Sequence, residues 1–485
     1  MKKLIYSLLL GFAAVSCTKE LTEDPKGLLA SNTALNTLPG LQTAIVGAYK
    51  PLKDGYNSGF GSAALDAVVM GSDDLTTHPS SNKQELREMD QFAVNSTNSR
   101  IYVIWLGCYK AIQNANAIID NYEKVGNTAE IKQIGGEAYF IRAYSYFWLT
   151  RLWGNVPIIS SSTYTSSLLS VSKSDPATIY KLIESDLKNA ETLMGNTKPA
   201  AGRVNAGAAK AVLAEVYLTE AGWPLKDASK YQLAAAKAKE VIDNSAKYGF
   251  DLVPNLATLW SGTTTSNNTV EDVFTLQFCS SCGNPSTLNG KSSMADPEES
   301  GWADYCAEVT FYNNFPDGIR KDLTFQSVFT KPNGTTVTWQ NSTIRHPFFK
   351  KFRVNTPTPN FATSSTDQSV KLLRYAQVLL TYAEAQARSS AAPSTDAYAA
   401  VNRIRTRAGL PNLAAGLSSA AFADAVVQER AWELAGEYTR WFDLQRLQKV
   451  EQANANKAPD DLKPVGPIKY WLPIPYKDVQ INTGL

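Results

Sequence analysis

Histidine is nearly absent from this 485-residue chain, which carries only His78 and His346. Two imidazoles so far apart in sequence discourage any mechanism that needs a histidine cluster to bind metal or move protons. An excess of either charge is also missing, since 47 lysines and arginines face 45 aspartates and glutamates. That balance leaves no footprint for a phosphate backbone, so nucleic acid is not an expected partner. Cysteine is sparse, at five residues. With 44% hydrophobic and 19% charged residues, the composition excludes a disordered chain and a disulfide-dense miniprotein alike. A membrane-spanning segment is lacking at the N-terminus, where the apolar run Leu4 to Val15 would reach roughly 18 Å as a helix, short of the ~30 Å hydrocarbon core.

That short run has another use. Lys2 and Lys3 precede it, and Ala14, Val15 and Ser16 place small residues before Cys17, the layout of an export signal. The small-small-Cys pattern resembles a bacterial lipobox, whose cysteine becomes the acylated first residue of the mature protein. Several acyl chains anchor stably where one does not. Residues 1–16 then form a lipoprotein signal peptide, and 17–32, with Thr18, Lys19, Glu20, Glu23 and Asp24, a polar lipid-anchored tether. Without Lys2 and Lys3, basic and acidic side chains number 45 each.

Beyond the tether the patterning is helical. Ile101, Trp105, Cys108, Ile112, Ala115 and Ile119 recur at steps of four and three, which defines one helix face. Ile131 to Trp153 repeats the pattern after a break at Gly126-Asn127, so the two segments read as an antiparallel pair. Asn205 to Thr219 with Tyr231 to Ala246 form a second pair, and Leu372 to Arg388 with Asp396 to Ala408 a third. These Ala/Leu/Tyr hairpins resemble degenerate tetratricopeptide units. The fold class expected is mainly α, a helical scaffold of such pairs with a long loop-rich insertion carrying short strands. The helical regions are 33–249 and 370–485, and the insertion is 250–369. Within it, 20 of the 33 residues from Ser261 to Ser293 are Ser, Thr, Asn or Gly, interrupted by β-prone Val273 to Leu276. A long irregular segment in a compact chain is usually functional or disordered, and a binding surface is expected here. Trp260, Trp302 and Trp339 lie there, outside any helical stripe. Trp105, Trp148, Trp153, Trp432 and Trp441 fall in helical patterns and are expected in the core.

Five motifs occur in order: GEAYFIRAYSYFWLTRLWGNVP (Gly136 to Pro157), LLRYAQVLLTYAEA (Leu372 to Ala385), NRIRTRAGLP (Asn402 to Pro411), ERAWELAGEYTRWFDLQR (Glu429 to Arg446) and KYWLPIP (Lys469 to Pro475). Behind a lipobox, this series resembles the SusD/RagB family of nutrient-binding outer-membrane lipoproteins of Bacteroidetes. The resemblance implies a surface-exposed lipoprotein that captures glycans, or in some members peptides, for a SusC-like TonB-dependent transporter. It implies no cofactor and no catalysis. One departure is the spacing of Asp317 and Arg320, three apart where the family often has Asp-x-Arg.

Glu429, Glu433 and Glu437 tempt a hydrolase reading, because glycoside hydrolysis uses paired carboxylates. Arginines interleave them, with Glu437–Arg440 and Asp443–Arg446 at i,i+3 spacing, so structural ion pairing is the economical reading. A hydrolase would release product, and a pure tetratricopeptide adaptor would bind protein in preference to sugar. Cys279 and Cys282 form a C-x-x-C in loop surroundings. An extracytoplasmic compartment favours a local disulfide, or a bridge from Cys306 to one of the two, over a metal site. Cys108, on an apolar stripe, reads as a buried free thiol.

A sugar presents an apolar C–H face to aromatic rings and hydroxyls to amide, carboxylate and guanidinium groups. Candidate ligand contacts are therefore Trp260, Trp302, Tyr305 and Trp339 in the insertion, beside the acidic run Asp296, Glu298 and Glu299. A second strip, Ser72 to Glu88, adds Asp73, Asp74, His78 and Arg87.

Overall fold

The computed structural model describes residues 35–53, 59–60, 64–79, 81–279, 289–353 and 366–485. Cys17 and Cys282 lie outside the described residues. Helices α1 (Leu38–Lys53), α2 (Gln84–Asp90), α3 (Ser99–Ile119), α4 (Ala129–Trp153), α5 (Pro176–Leu193), α6 (Ala206–Glu220) and α7 (Lys230–Asp243) form the first part of the scaffold. After the short α8 (Val309–Asn314) come α9 (Tyr375–Ser389), α10 (Thr395–Arg407), α11 (Ser419–Glu433), α12 (Arg440–Arg446) and α13 (Val450–Asn454). The protein is mainly helical, and its strands are short. None of the described helices is long and apolar enough to cross a membrane.

Several long helices start where a side chain satisfies amides that the helix leaves unpaired, whereas α7 and α9 begin without a side-chain cap. Asn98 accepts from the Arg100 amide at 3.0 Å, Asp175 from Thr178 at 2.9 Å, and Asn205 from Ala208 at 3.0 Å. Ser394 and Ser418 cap α10 and α11 in the same way. Asn205 does more than cap, because its buried Nδ2 also donates to the Tyr248 carbonyl at 3.0 Å. Asn205→Ala is expected to lower stability by about 2 kcal/mol, the loss of a cap plus an orphaned buried carbonyl, measured as a lower urea midpoint at unchanged slope.

Packing runs in sequence from α1 through α3, α4, α5, α6 and α7, and then passes directly from α7 to α9 and α11. The three expected pairs, α3–α4, α6–α7 and α9–α10, all pack together. Inner members of the array are buried almost all round; in α6 every residue but Lys210 is buried, which is why a one-sided stripe is faint there. Helix α5 was not among the expected pairs, although Ile179, Tyr180, Ile183, Leu187 and Ala190 give it a buried stripe. Cys108 is a buried free thiol, as expected.

The loop-rich region is an excursion from this continuous array. Strands β2 (Asp272–Leu276) and β6 (Val370–Arg374) pair antiparallel, Leu276 opposite Val370 and Asp272 opposite Arg374. Leu372 to Arg374 are therefore strand and not the start of a helix, and α9 begins at Tyr375. Within the excursion, β1 (Leu75–Thr76) from the N-terminal region pairs with β3 (Cys306–Ala307). A hairpin, β4 (Val328–Thr330) with β5 (Thr336–Thr338), projects further along the chain.

Candidate functional site

The β1–β3 seam joins the two strips of candidate residues, which are separated by more than 200 positions in sequence. Leu75 faces Ala307 and Thr76 faces Cys306. Just past the paired residues, the Thr77 hydroxyl donates to the Asp304 carbonyl at 2.6 Å, and Lys83 Nζ meets Asp304 Oδ1 at 2.5 Å. His78 is half-buried on this rim. Burial lowers its pKa, opposed by Asp296 and reinforced by Lys83, His346 and Arg87. The ring is therefore neutral at pH 7 and can both donate and accept. His346, distant in sequence, comes close enough to act on it, although its own ring is buried and hydrogen-bonded to the Ile344 carbonyl and Asp461. Arg87, on α2, has no ion-pair partner among the described residues.

Trp302 stands two residues before Asp304 and is half-buried. Its amide donates to the Lys291 carbonyl at 3.0 Å. Ser300 and Ala303, on either side, hold φ of +52° and +49°. Left-handed backbone at two non-glycine residues costs on the order of 1–3 kcal/mol each and persists only where surroundings enforce it. Gly301 lies between, and a Cβ there would sit 2.1 Å from the Met294 carbonyl oxygen. The loop thus presents Trp302 from a tightly constrained backbone. Trp339, at the end of the β4–β5 hairpin, is also half-buried. It packs edge-on to Tyr312 at 5.8 Å and against the small apolar cluster that contains Ala303, Ile344 and Phe348. Ala303, next to Trp302 in sequence, belongs to that cluster.

Other candidates sit elsewhere, and burial is the reason. Tyr305 is fully buried against Phe349. Trp260 is 5% exposed, edge-on to Phe352 at 5.3 Å and beneath the cations of Lys351, Arg374 and Lys371, a structural cation–π platform. Asp74 is buried, accepts from Ser72 Oγ at 2.6 Å and from the Gly436 amide at 2.9 Å, and has its pKa raised by that burial. Asp73 holds Arg440 through two bonds of 2.6 and 2.7 Å. Of the acidic run, Glu298 is spent on Thr343 and Glu299 on Arg353, which leaves Asp296 exposed. Conversely, Trp432 was expected in the core but is only half-buried, unlike Trp105, Trp148, Trp153 and Trp441.

The carboxylates of the Glu429 to Arg446 motif are structural. Glu429 pairs with Arg320 at 2.6 Å and Arg405 at 2.8 Å. Glu433 meets Arg407 at 2.7 Å and Arg320 and Arg374 at 3.1 Å. Glu437 meets Arg374 and Lys351, both at 2.6 Å. Burial pushes the Glu433 carboxyl up, but Arg407, Arg374 and Arg320 outweigh it and hold the pKa at about 2. Asp443–Arg446 forms at 2.9 Å as spaced. Glu437–Arg440 does not, because α11 ends at Glu433 and left-handed Gly436 and Tyr438 redirect the chain. Arg320 supplies the buried cation, while Asp317 is exposed and pairs with Lys321. Cys279 is disulfide-bonded; Cys306 is a free buried thiol, so the bridge from Cys306 is excluded.

A helical-repeat scaffold that offers a rim of aromatic and hydrogen-bonding groups, with its clustered carboxylates locked in ion pairs, defines a class of ligand-recognition protein. Comparison with known proteins narrows the class. A family model described as "SusD family" matches residues 308–485, and one described as "Starch-binding associating with outer membrane" matches residues 41–218. The SusD-like protein P2 of Formosa agariphila is 26% identical over 515 aligned residues, covering 100% of this chain and 99% of that one. A SusD homolog from Bacteroides thetaiotaomicron has a TM-score of 0.81 at 22% identity, over 94% of this chain and 98% of the other. A laminarin binding SusD-like protein gives 0.74 at 25% identity, over 92% and 98%. The chain belongs to the SusD/RagB family.

Proposed function

We propose that the protein captures glycans at the outer-membrane surface and hands them to a partner SusC-like TonB-dependent transporter without cleaving them. The observation that carries this reading is the half-exposed Trp302, on a constrained loop of the same rim as neutral His78 and as Arg87, which has no ion-pair partner among the described residues. Such a rim offers a flat apolar surface for a sugar's C–H face and donors for its hydroxyls. The description of the family as starch-binding and associated with the outer membrane supports the ligand class and the location, as does the laminarin binding of a relative. Capture without chemistry is supported by the motif carboxylates. A general acid must carry a proton near the working pH, and a glutamate with a pKa of about 2 does not.

The test is a glycan array probed with residues 17–485, followed by chromatography of the bound glycan. Binding with no product is expected; cleavage of the glycan would overturn the reading. Co-purification with a large β-barrel is the expected sign of the transporter. Residues 17–32 act as tether, 250–369 as the ligand-bearing insertion, and Cys17 as the lipid attachment point. Cys17→Ala is expected to abolish acyl labelling and leave the chain unprocessed or mislocalised. A variant still recovered as a mature surface lipoprotein would remove the anchor assignment.

A further inference from the structure

At the other end of the β1–β3 seam lies a cleft of about 440 Å³, between α8 on one side and α11, α12 and α13 on the other. Helical spacing builds two of its walls. Phe311 and Asn314 are three apart on α8 and Gln428 and Trp432 four apart on α11, so each pair shares a face, while Gln452 on α13 and Asn456 just beyond its end line the third side. The Trp432 indole is half-buried, with its inner side packed on the core. The four amides are exposed, and none of their side chains has a hydrogen-bond partner among the described residues. Each is therefore free to exchange water for a ligand hydroxyl.

The charges around the cleft cancel locally. Arg440 is held by Asp73 in two bonds, Lys449 meets Asp424 at 3.2 Å, and Lys457 lies between Glu308 at 2.6 Å and Asp90 at 2.9 Å. Every lining cation thus has a carboxylate, and no bare charge faces the cavity. This differs from the His78 rim, where Arg87 has no ion-pair partner among the described residues. A surface of one indole, one phenyl and four amides, with paired charges, suits a neutral polyhydroxylated ligand better than a phosphate or an acidic peptide.

We propose that this cleft is a second binding subsite for neutral oligosaccharides, separate from the Trp302 rim. The inference rests on the glycan-capture reading above and deepens it. Asp73 at the cleft and His78 at the rim are five residues apart, so no more than about 17 Å of extended chain separates them. The two subsites could then grip one long glycan at two points or two chains side by side.

Titration calorimetry with maltohexaose and laminarihexaose tests this on the full mature chain. Trp432→Ala is expected to lower affinity, or to remove one of two binding steps, by about tenfold. The double variant Gln452→Ala, Asn456→Ala alters only exposed amides and is expected to act in the same direction with an unchanged melting temperature, which separates loss of binding from loss of fold. Trp302→Ala should retain the step that Trp432→Ala removes. Affinity at the cleft should be nearly constant between about 50 and about 500 mM NaCl, since no unpaired charge is engaged; a steep fall would overturn the neutral assignment. If both cleft variants bind as the intact chain does, the second subsite is refuted and glycan capture at the rim stands. If the intact chain binds neither hexaose, the capture reading fails for these glycans and the subsite fails with it.

Discussion

Trp302→Ala is expected to weaken glycan binding by about tenfold or more while leaving cooperative unfolding intact. An aromatic platform contributes roughly 0.5–1.5 kcal/mol beyond its buried area, and the loss of that area adds to it, so a tenfold change in affinity, about 1.4 kcal/mol, is a lower bound. The scaffold should tolerate the change because Trp302 is half-buried on a loop whose shape is set by Ser300, Gly301 and Ala303 and by the Thr77 and Lys83 contacts to Asp304. His78 gives the accompanying pH profile. Burial holds its pKa below the ordinary value of about 6.5, so the neutral ring persists from that pH upward. Affinity should be flat above about pH 6.5 and change only as the ring protonates at lower pH. Calorimetry across pH checks both points, and a Trp302→Ala protein with intact affinity would remove the rim from the site.

Glu433→Ala is expected to cost about 3–5 kcal/mol of stability, because it leaves Arg320, Arg374 and Arg407 buried with one carboxylate fewer among them. The intact protein should show the same dependence through pH. The Glu433 carboxyl titrates at about 2 in the folded chain, against about 4.3 when unfolded. Its folded pKa is depressed, so its stabilisation is complete above the unfolded value and is lost as pH falls through 2. The amount is about 3 kcal/mol, from a shift of more than two units at about 1.4 kcal/mol each. Urea midpoints measured between pH 5 and pH 2 should fall for the intact chain and fall less for Glu433→Gln, which has no proton to take up there. Parallel slopes for the two proteins would show that other carboxylates govern acid unfolding.

Much of the scaffold was legible because helix pairs state their geometry locally. The stripe from Ile101 to Ile119 is a property of one segment, and so are capping residues such as Asn98, Asp175 and Asn205. Strands were less visible for the converse reason. The two residues of β1 and the two of β3 are too few to show any period, and their pairing joins positions 75 and 307. Leu372 to Arg374 continued an apolar run that looked helical, and only the distant Asp272 to Leu276 makes it a strand. The site divides along the same line. Residue type put Trp302, His78 and Arg87 beside Trp260 and Tyr305 as equal candidates, and it could not foresee the burial of the last two, which depends on Lys351, Arg374 and Phe349 arriving from elsewhere. The ionic reading of Glu429, Glu433 and Glu437 held, although their partners came from Arg320, Lys351, Arg374, Arg405 and Arg407 and not from the arginines beside them.

The β2–β6 pairing, at the base of the excursion, has a consequence for how such a protein can change over time. Leu276 and Val370 are fastened to each other and α7 packs straight onto α9, so the array closes beneath the excursion, which reaches back into it through Arg320 and Lys351. Doubling a closed loop costs only about 0.6 kcal/mol in closure entropy. Stretches of the excursion that carry no such anchor, such as the turn between β4 and β5, can therefore change length while the array beneath them keeps its shape.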